Sequence, residues 1–160
     1  MIPSTTSVVA DRNSYVRRLL QREMTRAGYI VLPADSVRQV LFWIERQANL
    51  ALLVIDPDFP DTNPDTLLIR IRRQCPALPV IVHTHLEERT LPIMRQGLAK
   101  PIFIAKGGNS VEPLLSAVAA VLRPTGYEVA SSRNRSTPLR STLPPKVPAD
   151  KHRRWDKEKN

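Results

Sequence analysis

The sequence predicts an α/β domain: a doubly wound, five-stranded parallel sheet with helices on both faces. Three observations point there. Five short apolar runs alternate with five amphipathic segments between Ser7 and Leu122, the order that right-handed β-α-β crossovers turn into a parallel sheet. Leu50–Ile55 is six apolar residues in a row, as expected of a strand covered on both faces. Gly28 and Gly97 fall where helical periodicity stops, the place of a glycine just past a helix end.

Ser7–Ala10 reads as the first buried strand, ending at Asp11. Asn13-Ser14 can cap the helix that follows, where Val16, Leu19, Leu20, Met24 and Ala27 recur at helical spacing between arginines. Tyr29–Leu32 is the second strand, and Asp35-Ser36 caps a helix carrying Val37, Val40, Leu41 and Ile44. Leu50–Ile55 ends at Asp56, and a loop with Pro57, Pro60 and Pro64 leads to a helix over Asp65–Arg73. Pro79–Thr84 is the fourth strand, and Glu87–Gln96 a short helix. Ile102–Ala105 is the fifth strand, ending at Lys106. Asn109 or Ser110 caps the last helix, with Val111, Leu114, Leu115, Val118, Val121 and Leu122 on its core face. At this size the flavodoxin-like strand order 2-1-3-4-5 is expected.

The chain has 160 residues, enough for one domain and a remainder. No run of about 20 apolar residues offers a membrane span. The N-terminus lacks the basic start and apolar stretch of a signal peptide. A single cysteine, Cys75, excludes an intramolecular disulfide and a multi-cysteine metal site. The expected compartment is cytoplasmic. The glycine-rich phosphate loops GxGxxG and GxxxxGK[ST] are absent.

The net charge of +9 is uneven. Residues 1–123 hold 15 Lys and Arg against 11 Asp and Glu, a net +4; residues 124–160 hold 9 against 4, a net +5. The second stretch contains Pro124, Pro138, Pro144, Pro145 and Pro148, is rich in Ser and Thr, and has no periodic apolar face. It cannot bury enough apolar surface to offset chain entropy, so it is predicted disordered. The expected organisation is a domain over 5–123 and a basic tail over 124–160. Two readings of the tail stay open. One is a solvated extension without a specific partner. The other is docking onto nucleic acid or an acidic protein surface, helped by Lys151, His152, Arg153, Arg154 and Trp155.

Ligands of such sheets bind beyond the carboxyl ends of the strands. There the sequence puts Asp11, Asp56, Thr84 and Lys106. Each alone has a plainer reading: a turn former, a helix cap, a solvated lysine, a threonine with ordinary β propensity. Together they suit phosphoryl chemistry. A carboxylate can attack phosphorus. Two carboxylates attract a hard cation such as Mg²⁺. An ammonium and a hydroxyl can hold phosphoryl oxygens.

These residues carry a resemblance to the response-regulator receiver domains of two-component systems, over about residues 6–123. Its firmest parts are Leu52-Leu53-Val54-Ile55-Asp56 with Phe59-Pro60, then Leu78–Thr84, Gly97, and Phe103-Ile104-Ala105-Lys106. The resemblance implies a phosphoacceptor at Asp56, a switch hydroxyl at Thr84, a switch aromatic at Phe103 and a phosphate-contacting lysine at Lys106. It implies Mg²⁺ held by Asp11, Asp56 and the main-chain carbonyl of Asp58. The partners it implies are a sensor histidine kinase and an output protein, with a homodimer as one arrangement and transcriptional regulation as one process served. It implies no enzyme beyond self-phosphorylation and self-dephosphorylation. Phosphorylation of Asp56 would draw Thr84 to the phosphoryl group, let Phe103 turn inward and reshape the surface of the 87–96 segment, the fifth strand and the last helix.

The sequence departs from the receiver pattern. Ala10 stands where a second acid is usual, so weaker metal binding is expected. Gly107-Gly108 replaces the proline that usually follows the lysine, so a looser loop is expected. The usual glycine after the phosphoacceptor is not evident in Asp61–Pro64. Asp58 adds a carboxylate near the pocket, to assist metal binding or hydrolysis, or only to sit in solvent. Two other functions stay open: a degenerate pseudo-receiver acting as an interaction module, and a nucleic-acid-binding regulator working through the tail. A metal-dependent hydrolase lacks an evident substrate pocket. His83 and His85 share a face of a continuing strand but lack a third metal ligand. Cys75 is expected to be a free thiol, and Phe42 or Trp43 to mark a contact surface or the core.

Overall fold

The computed structural model describes residues 5–88, 91 and 100–123. Most of the expected 87–96 helix, its Gly97 stop and the 124–160 tail lie outside them. The elements are β1 (Thr6–Ala10), α1 (Ser14–Arg26), β2 (Ile30–Ala34), α2 (Val37–Arg46), β3 (Leu50–Ile55), α3 (Pro64–Gln74), β4 (Val80–Thr84), β5 (Ile102–Ala105) and α4 (Val111–Leu122). The five strands pair in parallel, as the alternation predicts, in the order β2-β1-β3-β4-β5 expected at this size. None of the described helices is long and apolar enough to cross a membrane.

Side chains alternate across each strand, and this splits the core into two layers. Val8, Ala10, Leu53, Ile55 and Val82 face Val40, Ile44, Leu67, Leu68 and Ile71 of α2 and α3. Val9, Leu52, Val54 and Ile81 face Leu20 and Met24 of α1 and Leu114 and Val118 of α4. β3 is therefore covered on both sides, which is why Leu50–Ile55 has no polar position.

The helix starts follow from capping. The Asn13 side chain accepts from Tyr15 and Val16 N–H, and Ser36 accepts from Gln39 N–H. Asn63 caps α3 ahead of Pro64 at its first position, so this helix begins one residue earlier than the sequence suggested. α1 ends in a Schellman arrangement: Tyr29 N–H donates to Met24 O and Gly28 N–H to Thr25 O. Gly28 there has φ +94°, the left-handed conformation that glycine tolerates.

The second strand lies further along the chain than expected, over Ile30–Ala34, and includes Pro33. β2 is at the sheet edge, where a residue without N–H does not interrupt the ladder. Its neighbour Trp43 covers that edge, donating from Nε1 to Pro33 O at 3.0 Å. Phe42 meets Trp43 edge-on and lies under the Arg46 guanidinium, half exposed.

Candidate functional site

The sheet ladder continues one residue past three strand ends. Asp11 N–H donates to Ala34 O, Asp56 N–H to Ala10 O and Lys106 N–H to Thr84 O, at 3.1, 2.9 and 2.8 Å. These bonds fix the backbone of all three residues before any side-chain contact is made. The two-residue period then sets direction. Asp11, Asp56 and Lys106 stand two places after Val9, Val54 and Ile104, the α1/α4 side of the sheet.

The side chains meet there. Lys106 Nζ donates to Asp11 Oδ2 at 2.6 Å and also to Asp56 Oδ2. All three are almost wholly buried, with side-chain exposures of 8% for Lys106, 2% for Asp11 and 7% for Asp56. Burial by itself pulls the ammonium down. The hydrogen bonds and charges of the two aspartates outweigh it and hold Lys106 above the ordinary lysine value.

The other carboxylate oxygens cap turns. Asp11 Oδ1 accepts from Asn13 N–H at 2.7 Å, and Asp56 Oδ1 from Asp58 N–H at 3.1 Å. Thr84 is buried; its Oγ1 accepts from Leu86 N–H at 3.3 Å. A cavity of about 140 Å³ is lined by Asp11, Asp56, Asp58, Thr84 and Lys106, with Arg12 and His85 among its other walls.

The predicted site residues thus come together, except that Phe103 stands apart from the cavity lining. It is half-buried on the opposite face with Val82, Leu86 and Leu91. The Asp58 side chain turns to the rim, where Arg12 Nη2 meets Oδ2 at 3.2 Å. His83 and His85 do not act together. His83 is buried against Ser110 and His85 is exposed. Among the described residues no group of three His, Cys, Asp or Glu is arranged to hold a metal through side chains. Cys75 is a free thiol at the end of α3.

Sequence reasoning missed two arginines. Arg12 was given no role, and Arg17 was only one of the arginines between the apolar positions of the first helix. Arg17 Nη1 instead donates to the Asp11 carbonyl at 2.6 Å, bracing the turn that carries the acid. Position 17 is six residues past Asp11, where a helix brings its first turn back over the strand end. That spacing was the available signal.

The donor set suits a hard divalent cation. Asp11 Oδ2 and Asp56 Oδ2 converge on one point, now taken by the Lys106 ammonium. Carboxylate oxygens are the ligands Mg²⁺ prefers. Ala10, buried and apolar, adds no third acid.

This geometry can be compared with known proteins. No protein-family model matches the chain. The DNA-binding transcriptional regulator NtrC of Bradyrhizobium sp. (strain RP501 Parasponia) is 35% identical over 81 residues, which are 51% of this chain and 17% of that protein. NtrC of Rhizobium meliloti is 36% identical over 77 residues, 48% of this chain and 16% of that protein. The chain therefore spans about a sixth of the length of these curated relatives. Among solved structures, the response regulator TrrA of Thermotoga maritima in complex with Mg²⁺-BeF superposes with a TM-score of 0.63 at 20% identity, over 74% of this chain and 99% of that one. A receiver domain protein from Methanospirillum hungatei gives 0.64 at 18% identity, over 74% and 94%.

The chain has the fold of the response-regulator receiver domains. It is the CheY-like fold, with five parallel strands in the order 2-1-3-4-5. A third solved structure holds TrrA together with the histidine kinase ThkA; this chain matches it with a TM-score of 0.62 at 21% identity, over 74% of this chain and 98% of that one.

Proposed function

We propose that the receiver accepts a phosphoryl group on Asp56 from a sensor histidine kinase and passes the signal on by protein contact. The observation that carries this is the buried convergence of Asp11, Asp56 and Lys106 on a small cavity walled by Thr84. In support, a protein of the same fold is known in complex with a histidine kinase. The two NtrC relatives, transcriptional regulators by name, favour transcription as the process served.

The step is a displacement at phosphorus. An Asp56 carboxylate oxygen forms the new P–O bond while the P–N bond of the donor phosphohistidine breaks, and the bonding electron pair leaves with the imidazole. No general base is required, because the nucleophile is already ionised. Mg²⁺, held by Asp11, Asp56 and the Asp58 carbonyl, would neutralise charge on the transferred group. Lys106 shifts its hydrogen bond from the Asp56 carboxylate to a phosphoryl oxygen. Thr84 donates its hydroxyl to another, and Phe103 follows on the far side of β5.

A pseudo-receiver is the second reading, favoured by Ala10 and by the Arg12–Asp58 pair on the rim. Incubation with acetyl phosphate and Mg²⁺, followed by a phosphate-affinity gel, separates the two. Receiver function predicts a retarded band that Asp56→Asn abolishes. A wild-type protein that never shifts supports the pseudo-receiver.

A further inference from the structure

His83 is a buried titratable side chain outside the phosphoryl chemistry, at 3% exposure on β4 beside Thr84. Its Nε2 lies 3.0 Å from Ser110 Oγ. Ser110 Oγ also lies 3.1 Å from the Gly107 carbonyl. A carbonyl can only accept, so the hydroxyl hydrogen points to Gly107. His83 Nε2 must then be the donor to Ser110, and Nδ1 carries the lone pair. Nδ1 is buried with no partner among the described residues. Burial chiefly, and then the charge of Lys106, holds this imidazole below the ordinary histidine value, while Asp11 and Asp56 pull the other way. The neutral ring that results agrees with the direction of these bonds.

The bonds close a ring. Lys106 N–H donates to Thr84 O at 2.8 Å. One residue on, Gly107 O accepts from both Ser110 Oγ and Ser110 N–H. Ser110 accepts from His83, which is covalently joined to Thr84. The ring ties β4, the end of β5 and the first turn of α4 around the residue that enters the cavity. A Cβ placed on Gly107 or Gly108 meets no atom of the described residues within 4 Å, and glycine has the most backbone freedom to lose. Ser110 stands at the N-cap of α4 without making a cap bond; its hydroxyl is committed to the turn instead.

We propose that His83 and Ser110 are positioning residues that aim Lys106 into the cavity by holding the Gly107 carbonyl. They do the work that a rigid residue after the lysine would do. The functional part of this rests on Lys106 as the phosphate-contacting amine. The ring itself does not.

NMR on the intact chain tests it in two arms. The first arm reads order. Long-range ¹H–¹⁵N correlation is expected to find His83 protonated on Nε2. Ser110→Ala and His83→Val are expected to drop the order parameters of Gly107 and Gly108 from about 0.85 toward 0.6. Lys106 Nζ proton exchange should quicken about tenfold, the equivalent of one hydrogen bond. Ser110→Thr and His83→Gln keep an oxygen and an N–H donor respectively, and should restore both signals. Ser110→Ala removes one atom, so it carries the test if His83→Val fails to fold. A His83 protonated on Nδ1, or a Ser110→Ala protein with Lys106 and both glycines unchanged, overturns the proposal.

The second arm reads beryllofluoride binding with Mg²⁺, expected to weaken about tenfold in Ser110→Ala and to recover in Ser110→Thr. Wild-type protein that binds no beryllofluoride while the first arm behaves as expected sinks the phosphoacceptor reading and leaves the ring standing. Unchanged binding in Ser110→Ala, with wild type binding normally, overturns the positioning role.

Discussion

Two sets of acid–base pairs share one cavity and differ in depth. On the floor, Lys106 joins Asp11 and Asp56 with almost no exposure. On the rim, Arg12 meets Asp58 with both side chains about half exposed, 56% and 47%. The chemistry is the same, an ammonium or guanidinium on carboxylates. The surroundings decide what each is for. A buried charge left without its partner is costly, so the floor ties stability to the site. An exposed pair is screened by water and salt and contributes little to stability. Its expected influence is on what enters the cavity, whose wall both residues form.

Breaking the floor should have the largest effect. Lys106→Met leaves two buried carboxylates facing each other and is expected to cost about 3 kcal/mol in urea unfolding without divalent cations. Millimolar Mg²⁺ should recover part of the loss by occupying the same two oxygens. A Lys106→Met protein as stable as wild type in the absence of metal would erase the distinction between floor and rim.

The pH dependence sharpens the comparison. Lys106 sits above its unfolded value of 10.5, so the folded state holds that proton more tightly. Its stabilisation is full below about pH 10.5 and is lost as pH rises through the folded value. His83 sits below its unfolded value of 6.5. There the unfolded state takes the proton first, so stability falls as pH drops from about 6.5 toward the folded value. His83→Gln should flatten the acid limb and leave the alkaline one. A flat profile above pH 10 in wild type would contradict the account of Lys106.

Opening the rim should be nearly silent in stability. Arg12→Ala is expected to cost between about 0.2 and 1 kcal/mol, and less at high salt. Calorimetric titration should find tighter Mg²⁺ binding in this variant, because a cation has left the mouth of an acidic cavity. Mg²⁺ binding weakened by Arg12→Ala would mean that the rim builds the metal site.

How much of this was legible in the sequence follows from the range of each interaction. β3 could be read to the residue, because burial on both faces leaves an unbroken apolar run. β2 could not, because an edge strand tolerates Pro33, which otherwise looks like a break. That Asp11, Asp56 and Lys106 meet could be read because strand ends are marked by a change from apolar to charged, as at Ile55-Asp56 and Ala105-Lys106. The ring through His83 and Ser110 could not. It joins positions 27 apart, and a lone histidine in an apolar run and a serine before a helix each have a simpler local meaning. Asn109 or Ser110 was expected as the helix cap; Ser110 takes that place, while its bond goes elsewhere.

The central claim is that the Asp56 carboxyl becomes a mixed anhydride with phosphate. It is tested most directly by treating the protein with acetyl phosphate and Mg²⁺, reducing with borohydride and sequencing peptides by mass spectrometry. Acyl phosphates are reduced to the alcohol, so the account predicts homoserine at position 56 and none in Asp56→Asn. Homoserine at Asp11 or Asp58 instead, or at no position, would contradict it.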